Sequence, residues 1–176
     1  IVEEKTLVEI KSEAKEKNVF KEFPKDLLRP IGFVGDIVDY MESQAKRPQP
    51  ILSLGASLSF AGALMGRRFE IEDGTRTNMY ITGLAISGSG KENARRVIKT
   101  ICNESRLPNM REICCTEDLT SDAAMFNELE QRPSQVFLLD EISHLLEAAK
   151  NGGKNPHLKS VVTGLLRIYS SPDKVV

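Results

Sequence analysis

The stretch Ala85-Ile-Ser-Gly-Ser-Gly-Lys91 constrains this chain more than any other, because of what stands on either side of it. It has the form A/G-x-x-x-x-G-K. Before it, Met79 to Ile86 is a strand-like run; after it, Ala94, Val97, Ile98, Ile101 and Cys102 follow the i, i+3, i+4, i+7, i+8 template, which predicts a helix from Lys91 to about Asn103. Strand, glycine loop, helix is the setting a phosphate-binding loop requires. Glycines let consecutive backbone N–H groups curl around phosphates, the helix N-terminus adds partial positive charge, and a lysine reaches the terminal phosphates. Ser87, Gly88, Ser89, Gly90 and Lys91 form the expected cradle, with Glu92 and Asn93 completing the candidate set. The plain alternative is a turn at Gly88 and Gly90 that leaves Lys91 solvated at a helix start, where a cation is mildly unfavourable.

A second segment supports the first. Val136-Phe-Leu-Leu-Asp140-Glu141 is four apolar residues and then two acids, in the apolar run Gln135 to Leu139 that reads as a central parallel strand. The intervening material, one helix, a short strand at Ile113 to Cys115 and a helix from Ser121 to Glu130 started by Ser121 or Thr120, suits two crossovers. In this scheme Asp140 anchors Mg²⁺ and Glu141 polarises the attacking water, making Lys91 and Glu141 the expected catalytic pair. The same two acids could equally cap the helix that starts at Ile142. A dinucleotide fingerprint fits less well, since Asn93 stands where its third glycine belongs.

Glu92 departs from the pattern, taking the place of the hydroxyl residue that usually follows the lysine. A carboxylate about 5 Å from a γ-phosphate costs about 3 kcal/mol at an effective dielectric constant of about 20, unless a metal ion lies between them. Glu92 is therefore either a second metal ligand beside Asp140 or a solvent-facing residue favoured by the helix N-terminus.

The remainder is read more coarsely. A charged helix is expected over Thr6 to Asn18, then a short one after Gly35 on Ile37, Tyr40, Met41 and Ala45. Ile51 to Met65 reads as a helix buried on most sides, ended by Arg67 and Arg68. That run is too short for the roughly 20 residues a bilayer crossing needs, and no signal peptide precedes it, so no membrane partner and a cytoplasmic setting are expected. The 24 basic against 25 acidic residues exclude binding through a global basic field. Arg95, Arg96 and Lys99 make one helix face basic, which reads as a solvated face or as a contact to a neighbouring subunit or a nucleic-acid strand, and Lys150, Lys154, His157 and Lys159 around Gly152-Gly153 read as a mobile basic loop of the kind that can line a central pore. His144 and His157 lack metal-ligand spacing, and Cys102, Cys114 and Cys115 suggest neither a disulfide framework nor a zinc knuckle; Cys114 and Cys115 read as strand packing.

Phe23-Pro24-Lys-Asp-Leu-Leu28, Pro50-Ile-Leu-Ser-Leu-Gly-Ala56, Gly66-Arg-Arg68, Asn78-Met-Tyr-Ile81, Ser87 to Asn93, Ser121-Asp-Ala-Ala124 and Leu139-Asp-Glu-Ile142, in that order, resemble a family of P-loop ATPases from phage, prophage and plasmid replication proteins of the primase-helicase type. The resemblance covers about Phe20 to the C-terminus. It implies an α/β fold, a P-loop NTPase (RecA/AAA+-like) parallel-sheet core over residues 73–176, preceded by an α-helical N-terminal region over residues 1–72 that packs on it. It implies ATP and Mg²⁺ as cofactors, hydrolysis coupled to helicase-like work on DNA, single-stranded above all, and a homo-oligomer. The expected core is truncated: helices on either side of Gly152-Gly153 follow the Asp-Glu segment with no further strand, and Arg167, the one arginine after Asp140, lies in an apolar-periodic helix unsuited to an arginine finger. The start at Ile1 suggests a piece of a longer gene product. The competing expectations are a nucleotide-binding scaffold without turnover and, more weakly, a small-molecule kinase.

Overall fold

Two prolines set the first architectural step. Pro48 and Pro50 interrupt the chain between helix α1 (Phe33–Ser43) and helix α2 (Pro50–Met65), and Pro50 takes the first helical position, where its missing N–H costs nothing. The computed structural model describes residues 23–72, 74–115, 121–140, 142–150 and 156–170. Its further elements are α3 (Glu92–Glu104), the single turn α4 (Met110–Ile113), β1 (Cys114–Cys115), α5 (Asp122–Gln131), β2 (Val136–Phe137), α6 (Ser143–Lys150) and α7 (Pro156–Ser170). The helix expected over Thr6 to Asn18 lies outside the described residues, as does the centre of the Gly152-Gly153 loop.

Helix α1 buries Ile37, Val38 and Met41 against α2 and α3, while Tyr40, expected on the same face, is exposed. Helix α2 offers α1 a face of serines: Ser53 Oγ donates to Glu42 Oε1 at 2.5 Å, and Ser57 Oγ bonds back to Ser53 O at 2.7 Å. Satisfied in this way, both serines can be buried without the penalty of an unmade hydrogen bond. Helix α2 is less enclosed than its composition suggests, since Ile51, Leu58 and Met65 are exposed.

Helix α3 follows its sequence pattern closely. Ala94, Val97, Ile98 and Cys102 are buried, and they join Ile37, Met41, Phe60, Ala63 and Val136 in one hydrophobic cluster. That cluster draws on residues from both sides of position 73. Ser121 caps α5 as expected, accepting from Ala124 N at 3.1 Å. Helices α5 and α7 meet closely at Gly164, where a β-carbon would stand 2.6 Å from Met125 Cε.

The parallel-sheet P-loop NTPase core is not what this chain forms. The structure is mostly helical, and among the described residues regular strand is confined to β1 and β2, two residues each, paired in parallel with Cys114 opposite Val136 and Cys115 opposite Phe137. The direction of this pair and the position of β2 inside Gln135 to Leu139 agree with the sequence, but two rungs make no layered α/β core. The decisive segment is Met79 to Ile86. It is not part of any strand; its neighbour is α2. A β-carbon at Gly62 would stand 2.7 Å from Thr77 O, one at Gly55 would stand 3.0 Å from Ile81 Cγ2, and Thr77 Oγ1 donates to Gly62 O at 3.0 Å. The small face of α2 thus takes up the chain that a sheet would have used, and Leu84 and Ile86 are left 85% and 81% exposed. At the near end Tyr80 turns to α7, donating to Leu165 O at 2.7 Å beside the ring of Tyr169; burial first, and Tyr169 second, push its phenol up to about 12.

Candidate functional site

The loop from Ser87 to Lys91 is a tight turn feeding α3. Gly88 and Gly90 have φ of 72° and 94°, the left-handed region that glycine enters without steric cost. Ser89 N bonds to Ile86 O at 3.2 Å and Asn93 N to Gly90 O at 3.1 Å, closing the turn and starting the helix. Lys91 stands at the N-cap, with helical backbone and no side chain capping α3. The N-terminal amides of α3 therefore have no side-chain acceptor from the cap, and Lys91 adds a full charge where the helix carries its partial positive end.

One side of this loop is closed by the α1–α2 connector. The Arg47 guanidinium donates to Gly88 O, Gln49 Nε2 donates to Ser89 O at 3.0 Å, and a β-carbon on Gly90 would meet Arg47 O at 2.7 Å. Arg47, Gln49, Gly90 and Asn93 line a crevice there with no volume for a water molecule. The Ser89 hydroxyl is sealed from solvent with no hydrogen-bond partner among the described residues. A buried orphan of this kind costs about 1–3 kcal/mol. Asn93 also serves the scaffold: its Nδ2 donates to Met41 O at 2.8 Å, tying α3 to α1, while its Oδ1 accepts from Arg96 of its own helix at 2.7 Å.

The other side is open. Lys91, Glu92, Arg95 and Asp140 share a concavity of about 1590 Å³, whose further walls come from α2, the segment Thr77 to Ala85, residues around β2, and α5 and α7. Ser87 to Gly90 lie outside its wall; Ala85 and Lys91 flank them. Of the expected site residues, the structure joins Glu92 and Asp140 through Arg95, sets Lys91 on the wall of the same concavity, directs the loop and Asn93 toward the connector and α1, and leaves Glu141 outside the described residues.

Arg95 organises the open side. Its Nη2 donates to Glu92 and, at 2.9 Å, to Asp140 Oδ2, and its side chain is 20% exposed against 54% for Asp140. Burial alone would lower the pKa of the guanidinium; its bonds to Asp140 and Glu92 outweigh that and hold it above its ordinary value. The sequence placed Arg95, Arg96 and Lys99 on a solvated basic face. Arg95 is instead the counter-ion of the two carboxylates expected to hold metal, and Arg96 reaches Asn93 and Gln44 O.

The carboxylates form no metal cage by themselves: among the described residues no group of three or more His, Cys, Asp and Glu side chains could hold an ion. Their chemistry fits Mg²⁺ in the way Mg²⁺ is commonly held, through one or two carboxylates with water and substrate phosphates. Among the described residues no helix is long and apolar enough to cross a membrane. No family model, no curated protein and no solved structure matches the chain.

Proposed function

We propose that this chain binds the phosphates of a nucleoside triphosphate, ATP foremost, at the start of α3, and that it is the ATP-handling part of a mobile-element DNA replication helicase or primase-helicase. The observation that carries the reading is that Lys91, at a helix N-terminus without a side-chain cap, lines the same open concavity as Glu92 and Asp140. In this reading the turn at Gly88 and Gly90 sets the position of Lys91, which neutralises phosphate charge together with the α3 amides. Glu92 and Asp140 would hold Mg²⁺, which supplies charge neutralisation at the phosphates. Glu141 takes the water-activating role that the sequence suggests for it. Single-stranded DNA and further copies of the chain are the partners, on the strength of the motif order alone.

The experiment is ATP binding and hydrolysis by the intact chain, with and without single-stranded DNA, beside Lys91→Ala. DNA-stimulated turnover that is lost in the variant supports the whole reading. Binding without turnover, abolished in the variant, supports a nucleotide-binding scaffold instead; the bonds from Arg95 to both carboxylates favour that second reading. Equal behaviour of wild type and Lys91→Ala removes the site.

A further inference from the structure

Ion pairs sort the cations of the open concavity. Arg95 is held by Glu92 and Asp140, and Arg76 by Glu70 at 3.0 Å. The guanidinium groups of Arg67 and Arg167, both exposed on the wall, have no ion pair or hydrogen bond among the described residues. Among the described residues of this wall five are basic, Lys91 included, and three acidic, in a chain whose net charge is −1. A polyanion therefore finds its charge complement here rather than over the surface as a whole. The same wall carries an aromatic platform. Tyr80 is fixed by its bond to Leu165 O, and the ring of Tyr169 lies 5.4 Å from that of Tyr80 at an angle of 42°. Both residues keep more than half of their surface exposed, 51% and 56%. Exposed aromatic rings beside unpaired cations are the means by which proteins hold single strands: bases stack on the rings, and the cations take the phosphates.

Position separates this platform from the phosphate loop. The segment that begins at Thr77 runs along α2 toward its N-terminus, Thr77 beside Gly62 and Ile81 beside Gly55, so Tyr80 stands about half-way along the helix. Arg67 follows the C-terminal end of α2, whereas Gln49, at its N-terminal end, ties down the loop. From Gln49 to Arg67 is about 27 Å at about 1.5 Å per residue. A nucleotide with its phosphates at Lys91 leaves the half toward Arg67 open. That half, about 13 Å long, spans about four nucleotides at about 3.4 Å each.

We propose that single-stranded DNA binds in the half of the concavity between the Tyr80–Tyr169 pair and Arg67, with bases on the tyrosine rings and phosphates on Arg67 and Arg167. This gives the single strand of the proposed function a place on the fold, and the choice of DNA over RNA rests on that function. A duplex is a poorer occupant, because its bases are already stacked on one another and offer the rings no free face.

The test is fluorescence anisotropy of a labelled oligodeoxyuridylate titrated with the full chain over a salt series, with ATP binding measured on the same preparations. Arg67→Gln and Arg167→Gln, exposed positions whose change spares the fold, should each weaken binding and each reduce the slope of log affinity against log salt by about 0.7. Tyr169→Leu should weaken binding about 5- to 150-fold with the slope unchanged, and Tyr169→Phe, which keeps the ring, should bind as wild type does. ATP binding should be the same in all four variants. A wild-type chain that binds ATP but not the oligonucleotide overturns the DNA site and leaves the nucleotide site standing; one that binds the oligonucleotide through these residues but not ATP keeps the DNA site and removes the other. Affinity and slope indifferent to the arginine and tyrosine variants, or tighter binding of oligouridylate than of its deoxy counterpart, overturn the proposal.

Discussion

Gly88 and Gly90 are both left-handed, yet replacing them with alanine should cost very different amounts. At Gly88 the nearest atom to an added β-carbon is Arg47 Nη1 at 3.6 Å, ordinary contact with the end of a flexible side chain. The penalty there is conformational: about 1–2 kcal/mol for a β-carbon in the left-handed region, less about 0.4–1 kcal/mol from the stiffer unfolded chain, or about 1 kcal/mol net. At Gly90 the β-carbon would stand 2.7 Å from Arg47 O and 3.1 Å from Arg47 Cβ, so the connector backbone must move. Overpacking of this kind adds about 1–3 kcal/mol, bringing Gly90→Ala to about 2–4 kcal/mol by the same reasoning. Urea unfolding followed by circular dichroism reads the difference: with a slope of about 2 kcal/mol per molar urea, the Gly90→Ala midpoint should fall about 1 M below that of Gly88→Ala. Coincident midpoints would refute the close approach of loop and connector, and with it the account of why glycine is needed at position 90.

Asn93→Ala should destabilise by about 0.5–1.5 kcal/mol, the net value of the bond to Met41 O, which keeps a second donor in Gln44 N; thermal unfolding measures this, and Asn93→Asp should not restore the Met41 bond, having no N–H to offer, although it keeps an acceptor for Arg96. Arg95→Gln should lower stability by less than about 1 kcal/mol, since Asp140 and Glu92 are both more than half exposed, and should tighten Mg²⁺ binding by leaving two carboxylates without their guanidinium; calorimetric titration that finds the metal affinity unchanged contradicts the role given to those acids. Cys114 should react with iodoacetamide at a rate that rises through pH 7, because the thiolate is the nucleophile and its thiol is lowered to about 7 by the Cys102 hydrogen bond first and by Lys99 second. Below that pH the rate should fall about tenfold per unit. Cys102→Ala should move the midpoint up toward the ordinary thiol value of about 8.5, and no movement would mean that the bond to Cys102 does not set it.

Local rules were readable in this sequence wherever one element answered to its own residues. The five apolar points of α3, the Ser121 cap of α5 and the glycine turn before Lys91 are short-range statements, and each is present in the fold. What sequence periodicity could not supply was the partner of an extended segment. Met79 to Ile86 has the composition of a strand, but strand pairing is a non-local choice, and the glycines of α2 at 55 and 62 let the chain lie against a helix instead. The connector was equally silent, although its sequence holds a usable signal: prolines at 48 and 50 donate no backbone N–H, and the polar side chains of Arg47, before them, and Gln49, between them, reach across to the loop.

Arg95 carries the same lesson into the chemistry. On a helical wheel Arg95, Arg96 and Lys99 look like one solvated cationic face, yet Arg95 is held by Asp140, a residue 45 positions later in the chain, Arg96 turns to α1 and Lys99 lies near Cys114. Charge patterning reports the side of a helix on which a cation sits but is blind to which distant carboxylate arrives there. The order of motifs can therefore be met by residues whose surroundings are not those of a layered α/β sheet, and the phosphate chemistry of Lys91 stands or falls separately from the fold that first suggested it. If Lys91→Ala abolishes nucleotide binding while leaving the unfolding midpoint unchanged, the loop and helix suffice as a site without the sheet. If it alters neither, Arg95 and its two carboxylates are a structural ion triad, and the glycine turn serves the packing of Arg47.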